Sequence, residues 1–226
     1  MEFKSPATIL ISGPSQSGKS TLVLKMIKEP SCFDRPPTNV IIAYSRMQAL
    51  YRDIMDCSPV PVRLVQGLSQ DLKTTAGTLL VIDDLQNEAG KAVCDWFTKN
   101  AHHYETNVVY LVQNLFLKSP EHRTASINAH YIILFKNPRD KSIIIHLAKQ
   151  FAPNNPGYIV DAFKQATARA HGYLMLDFKQ ETNDLFRIRD SVFANPHIFV
   201  DRKTGSPVDL ASIGLTPTGH APTWRI

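Results

Sequence analysis

The run Gly13-Pro14-Ser15-Gln16-Ser17-Gly18-Lys19-Ser20 limits this chain's fold more than any other feature. It reads G-x-x-x-x-G-K-S, the spacing of a loop that wraps a polyphosphate. Both flanks agree. Residues 7–11 are apolar and partly β-branched, as a buried strand is. Residues 21–27 read as a helix that ends before Pro30. Strand, loop and helix in that order aim the loop's amide N–H groups and the positive end of the helix at one anion. Gly13 and Gly18 permit the turn and a close backbone approach. Lys19 would then reach the β- and γ-phosphates, and the Ser20 hydroxyl would ligate Mg²⁺. The candidate nucleotide-binding residues are Gly13, Pro14, Ser15, Gln16, Ser17, Gly18, Lys19, Ser20 and Thr21, with ATP and Mg²⁺ as the expected ligands.

A chain of 226 residues with 43% hydrophobic content suits one α/β domain plus a small appendage. No apolar run reaches the roughly 18 residues of a membrane span. The amino-terminal Met1-Glu2-Phe3-Lys4-Ser5-Pro6 lacks the apolar core of a signal peptide. Cys32, Cys57 and Cys94 are odd in number and widely spaced, which points to a reduced intracellular protein, and none forms a C-x-x-C metal pair. The net charge of +5 permits a polyanionic partner without requiring one.

Apolar, β-like runs recur at residues 39–44, 62–65, 78–82, 107–112 and 131–135, with helical patterns between them near 46–56, 86–101, 119–129, 139–151 and 157–168. That alternation predicts a mostly parallel sheet flanked by helices. Residues 172–178 and 185–190 alternate around a polar turn, which predicts an antiparallel hairpin completing the sheet. From Ala194 the chain turns rich in Pro and Gly. The expected division is an ATPase domain over 1–193 and an extended tail over 194–226, either flexible or laid against a neighbour.

The strand at 79–82 ends in Asp83-Asp84. A buried strand beside the loop would hold Asp83 where it fixes Mg²⁺, with Asp84 near the attacking water as base or orienter. The strand 108–112 ends in Gln113-Asn114. Gln113 is a candidate to sense the γ-phosphate or position water, whereas Asn114 fits a helix cap better. Asn137 or Asp140 could cap the following helix. Arg123 and Arg139 are candidates for a finger reaching a neighbouring subunit's γ-phosphate, although both also fit ordinary surface roles. His102-His103 is an adjacent pair whose members point about 100° apart on a helix, so a surface role fits it better than a metal site.

With those motifs in place, the chain resembles the viral genome-packaging ATPases of the FtsK–HerA superfamily, the poxvirus-like type found in large DNA viruses and in Polinton or adintovirus elements. Besides the two acidic and glycine motifs, residues 110–116 and above all 126–141 carry the likeness, with 146–150 and 171–178 continuing it. It covers about residues 7–190 and stops before the tail. The resemblance implies a RecA-like P-loop (ASCE) ATPase that works as a homo-oligomeric ring, pentamer or hexamer, and drives double-stranded DNA into a capsid through a capsid or portal protein. It places the protein inside the host cell, in the nucleus or a cytoplasmic virus factory, or with the virion. It assigns Lys19 and Ser20 to nucleotide and Mg²⁺, Asp83 to the metal, Asp84 to the catalytic carboxylate and Gln113 to the sensor. Relatives carry an arginine where this chain has Tyr104-Glu105, which leaves Arg123 or Arg139 as the substitute. Candidate DNA contacts are Lys118, Arg123, Lys136 and Lys141. Two other readings use the same loop: a nucleoside or small-molecule kinase, and a nucleotide-dependent switch with little turnover.

Overall fold

The computed structural model describes residues 2–85, 90–116, 119–193 and 195–200, and the backbone of 224–225. β1 (Thr8–Ser12) leads into α1 (Lys19–Lys28). Then come β2 (Asn39–Tyr44), α2 (Ala49–Cys57), β3 (Val62–Gln66) and β4 (Thr78–Asp83). α3 (Gly90–Asp95) passes through a π-helical turn (Trp96–Asn100) into α4 (Ala101–His103). β5 (Asn107–Val112), α5 (Pro120–Ile127), β6 (Tyr131–Phe135), α6 (Ser142–Phe151) and α7 (Pro156–Ala166) follow. β7 (Tyr173–Asp177), β8 (Ile188–Arg189), β9 (Ile198–Phe199) and β10 (Trp224–Arg225) finish the sheet.

Among the described residues the strands run β10-β9-β8-β7-β6-β1-β5-β4-β2-β3. The six from β6 to β3 are mutually parallel. Parallel strands are covered on both faces, and alternate side chains feed two cores. Ile9, Ile11, Val81 and Leu111 pack with α1 and α2, through Val23, Met26 and Ile54. Leu10, Leu80, Ile82 and Val108 pack on the opposite side with α3, α5, α6 and α7, through Val93, Ala125, Leu147 and Ala162. The expected RecA-like, doubly covered parallel sheet is therefore present, with β1 between β5 and β6.

Several boundaries differ from the sequence expectation: α2, read from 46, begins at Ala49, and three others alter the sheet or its helices. The helix read from 139 begins at Ser142. Asn137 Oδ1 takes the Arg139 amide at 3.1 Å, and Asp140 Oδ1 takes the Ser142 amide at 3.0 Å, so side-chain turns hold the backbone out of the helix. Asp140, rather than Asn137, meets the helix start. The expected hairpin is formed by β7, antiparallel to both β6 and β8. Its second arm is only two residues long, because Asn183 Oδ1 captures the Leu185 amide at 3.0 Å and starts a 3₁₀ turn over Asp184–Phe186. Third, the helix read over 86–101 extends to His103 through the π turn, while residues 86–89 lie outside the described residues. Most of the tail also lies outside them. The backbone of Trp224–Arg225 runs parallel beside β9. Among the described residues no helix is long and apolar enough to cross a membrane, and all three cysteines are unpaired.

A buried ion pair helps fasten the antiparallel extension. Arg189 Nη2 lies 2.9 Å from Asp177 Oδ2, and each side chain is 3% exposed. Asp177 also takes the Lys179 amide and the Thr182 hydroxyl. Removing one partner leaves a buried charge without compensation. Arg189→Ala should lower unfolding free energy by about 3–5 kcal/mol, read from urea melts.

Candidate nucleotide-binding site

The glycine loop leaves the carboxyl end of β1 at the middle of the sheet. The Gly13 amide donates to Val112 O at 3.2 Å, tying the loop's first residue to the end of β5. A Cβ at Gly13 would stand 2.7 Å from Phe135 Cβ and 2.7 Å from Ser17 Oγ, so no larger residue fits between β1 and β6. Gln16 and Gly18 turn the loop with φ of 64° and 109°. The Leu22 amide donates to Gly18 O at 2.9 Å, and α1 starts there with no acidic residue in its first turn. Its amino end thus keeps its positive field. Lys19 folds back over the loop, its Nζ donating to Gly13 O at 2.6 Å and Pro14 O at 3.0 Å. Burial lowers the Lys19 pKa, against the pull of Asp83 and Asp84.

β4 lies between β2 and β5, with Asp83 level with Tyr44 on one side and Leu111 on the other. Asp83 is 6% exposed. Its Oδ2 accepts from Tyr51 Oη at 2.8 Å and from Gln48 Nε2 at 3.2 Å. Burial pushes the Asp83 carboxyl upward; Tyr51's hydrogen bond opposes this, Asp84's charge adds to it, and Lys19 and Gln48 oppose it further. Burial, followed by the charge of Asp83, raises the Tyr51 phenol as well, so it stays a donor at neutral pH. Asp84 is exposed with φ of 53°, just past the end of β4. The Gln113 amide at the end of β5 points to Asp84 Oδ1 at 3.4 Å.

A cavity of about 210 Å³ collects these groups: Ser15, Gln16, Lys19, Ser20, Gln48, Asp83, Asp84 and Gln113 all line it. Thr21, exposed on α1, does not. A hard divalent cation fits that donor set, which is hydroxyl and carboxylate oxygen. Among the described residues no three His, Cys, Asp or Glu side chains converge on a metal site. Mg²⁺ needs no such cage, since it keeps water and phosphate oxygens in its shell. Ser20 and Asp83, which line the cavity, would be its protein ligands.

The two arginines are not part of this cluster. Arg123 is exposed on α5 and Arg139 is exposed in the loop between β6 and α6; neither lines the cavity. Residues 104–105 precede β5 at the amino edge of the sheet, where the Glu105 carbonyl takes the Gly77 amide, so an arginine there would face away from its own subunit's pocket. Asn114 closes a local turn, its Oδ1 accepting the Phe116 amide at 2.9 Å. His102 and His103 end α4. Lys136 and Lys141 are exposed on the carboxyl edge, and Lys118 lies outside the described residues. Sequence reading missed Gln48 and Tyr51. Their signal was positional, a polar and a phenolic residue three apart at the start of a helix. It also missed His171, whose Nδ1 lies 3.0 Å from Ser17 O, beside Gly18. A second cavity of about 280 Å³ opens there, lined by Gln16, Ser17, Phe135, Lys136, Arg169 and His171 among others.

No protein-family model matches the chain, and no curated protein sequence matches it. Solved structures do. The crystal structure of B204, the DNA-packaging ATPase from Sulfolobus Turreted Icosahedral Virus, matches at a TM-score of 0.53 and 15% identity, covering 77% of this chain and 93% of that one. The chain has the fold of that packaging ATPase. The genome packaging NTPase B204 from Sulfolobus turreted icosahedral virus 2 also matches, in complex with sulfate (TM-score 0.48, 17% identity, 78% of this chain and 94% of that one). So does its complex with ATP-gammaS (TM-score 0.46, 16% identity, with the same coverage). At these identities the likeness concerns fold, and the site rests on the geometry above.

Gly13→Ala should cost about 1–3 kcal/mol of stability, since the new methyl must displace Phe135 or Ser17. Gly157→Ala serves as the control in the same denaturation series. It lies in α7, where a Cβ would meet only Asn155 Oδ1, at 4.0 Å.

Proposed function

We propose that this chain is the ATP-hydrolysing subunit of a motor that moves double-stranded DNA into a viral capsid. One observation carries the reading: Lys19, Ser20, Asp83, Asp84 and Gln113, from three adjacent strand ends, meet at a single cavity. The sequence resemblance and the shared fold with a DNA-packaging ATPase support the motor part of it.

In this reading the triphosphate lies along the loop amides and the amino end of α1. Lys19 exchanges its two carbonyl partners for phosphate oxygens. Mg²⁺, held by Ser20 and Asp83, would neutralise charge that builds on the β- and γ-phosphates. Asp84 orients or deprotonates the attacking water, and Gln113 links it to the end of β5. Gln16 lines both the phosphate cavity and the cavity at His171, so the nucleoside half extends over Gln16 and Ser17 toward Phe135 and Arg169. The side chains gathered here supply positioning and charge, but no arginine among them faces the γ-phosphate. A neighbouring copy supplying Arg123 or Arg139 would complete the site, which is the physical reason for an oligomer; the resemblance makes it a ring of five or six subunits. Exposed Lys136, Lys141 and Arg123 would meet DNA through its phosphates, because a packaging motor must ignore sequence. The capsid or portal protein completes the assembly.

Lys19→Ala should abolish ATP hydrolysis and weaken ATP binding by calorimetry, while circular dichroism stays that of the parent. Undiminished turnover would remove this cavity from the chemistry. DNA-stimulated ATPase activity should fall steeply as salt rises, with the logarithm of apparent DNA affinity linear in the logarithm of salt. A salt-independent response would rule out phosphate contacts.

A further inference from the structure

We propose that Tyr51 and Gln48 are positioning residues for the divalent cation, acting through Asp83; this rests on the reading of the cavity as a metal–nucleotide site. Both donors go to one oxygen of Asp83, Oδ2, at 2.8 Å and 3.2 Å. A carboxylate oxygen has two lone-pair directions, so Oδ2 is fully used and Oδ1 is the oxygen presented to a cation. Without those donors the carboxyl group could rotate and share its charge between two orientations.

The support is rigid. Tyr51 is 2% exposed, and its ring packs against Tyr44 at 5.4 Å between centroids. Tyr44 is the register partner of Asp83 across β2 and β4. The phenol is therefore fixed to the same pair of strands that carries the carboxylate. Gln48 sits three residues earlier, at the start of α2, and reaches the same oxygen from the solvent side, where it lines the cavity. One donor is buried and one is at the cavity wall. Hydrogen-bonded partners behind a ligand of this kind commonly set its metal affinity by one to two orders of magnitude.

The test uses the full chain with ATP-gammaS and Mn²⁺ as a spectroscopic stand-in for Mg²⁺. Electron paramagnetic resonance reads free Mn²⁺, and calorimetry in EDTA reads ATP-gammaS without metal. Tyr51→Phe keeps the ring and removes the donor. It should weaken Mn²⁺ binding about tenfold and leave metal-free ATP-gammaS affinity within about twofold. Raising Mg²⁺ should restore its turnover. Gln48→Leu, at an exposed position, should weaken Mn²⁺ binding in the same direction by a few-fold.

Unchanged Mn²⁺ affinity in Tyr51→Phe overturns the inference while the nucleotide site stands. Equal loss with and without metal assigns Tyr51 to general support of the fold and overturns it too. If Tyr51→Phe fails to fold, Gln48→Leu decides, and unchanged Mn²⁺ affinity there overturns the inference. A parent protein that binds neither ATP-gammaS nor Mn²⁺ overturns the underlying reading, and the inference with it.

Discussion

The rest of the structure depends on the tight passage at Gly13, where the chain leaves β1 against the side chain of Phe135. β1 lies between β5 and β6, so everything that follows it must emerge at the centre of the carboxyl edge. From there the chain runs out to β2 and β3, returns through β4 and β5, and passes over β1 to reach β6. Such a reversal of strand order opens a crevice at the carboxyl edge. α1 and α2 cover one face and the later helices the other, so the crevice is bounded by separate layers. The glycine loop lies there, between the end of β1 and the start of α1, whose N-cap Gly18 makes no side-chain capping bond.

Once β1 is central, its neighbours deliver the remaining groups without special devices. Regular parallel pairing sets Asp83 level with Leu111 and Tyr44. Asp84 and Gln113 then fall within reach of each other one step beyond the sheet. The left-handed backbone at Asp84, φ 53°, turns its side chain out of the strand's alternation and to the surface. That is a strained position for a residue with a side chain, of the kind that collects where geometry serves a site. Asp83, still within the ladder, is buried. Two consecutive carboxylates thus acquire opposite surroundings from one backbone reversal.

The parts legible in the sequence are those written contiguously. Gly13 to Ser20 holds the whole loop in eight positions, and five of the six parallel strands are short, mostly apolar, β-branched runs bounded by polar segments, with the edge strand β3 less so. Gln48 and Tyr51 are illegible for a different reason. Their importance comes from β2 lying beside β4, a fact of strand order that their three-residue spacing at the start of a helix does not reveal. The start of α6 falls three residues later than its composition suggests. Asn137 and Asp140 resemble helix starters, yet their side chains bind the backbone in turns. The short β8 has the same cause: apolar alternation at 185–190 suggests a full strand, and one asparagine cap at Asn183 diverts half of it. In each case a local side-chain hydrogen bond overrides a longer-range pattern.

The posture of Lys19 has a thermodynamic corollary. Its ammonium already satisfies two main-chain carbonyls, so an incoming anion competes with internal acceptors instead of meeting an unpaired cation. The gain at that contact is a difference between two charge-assisted bonds and stays modest. Grip on the ligand must therefore come chiefly from the loop amides and the helix end. In the proposed function the lysine would be a moving part, trading carbonyl partners for phosphate oxygens as the ligand arrives.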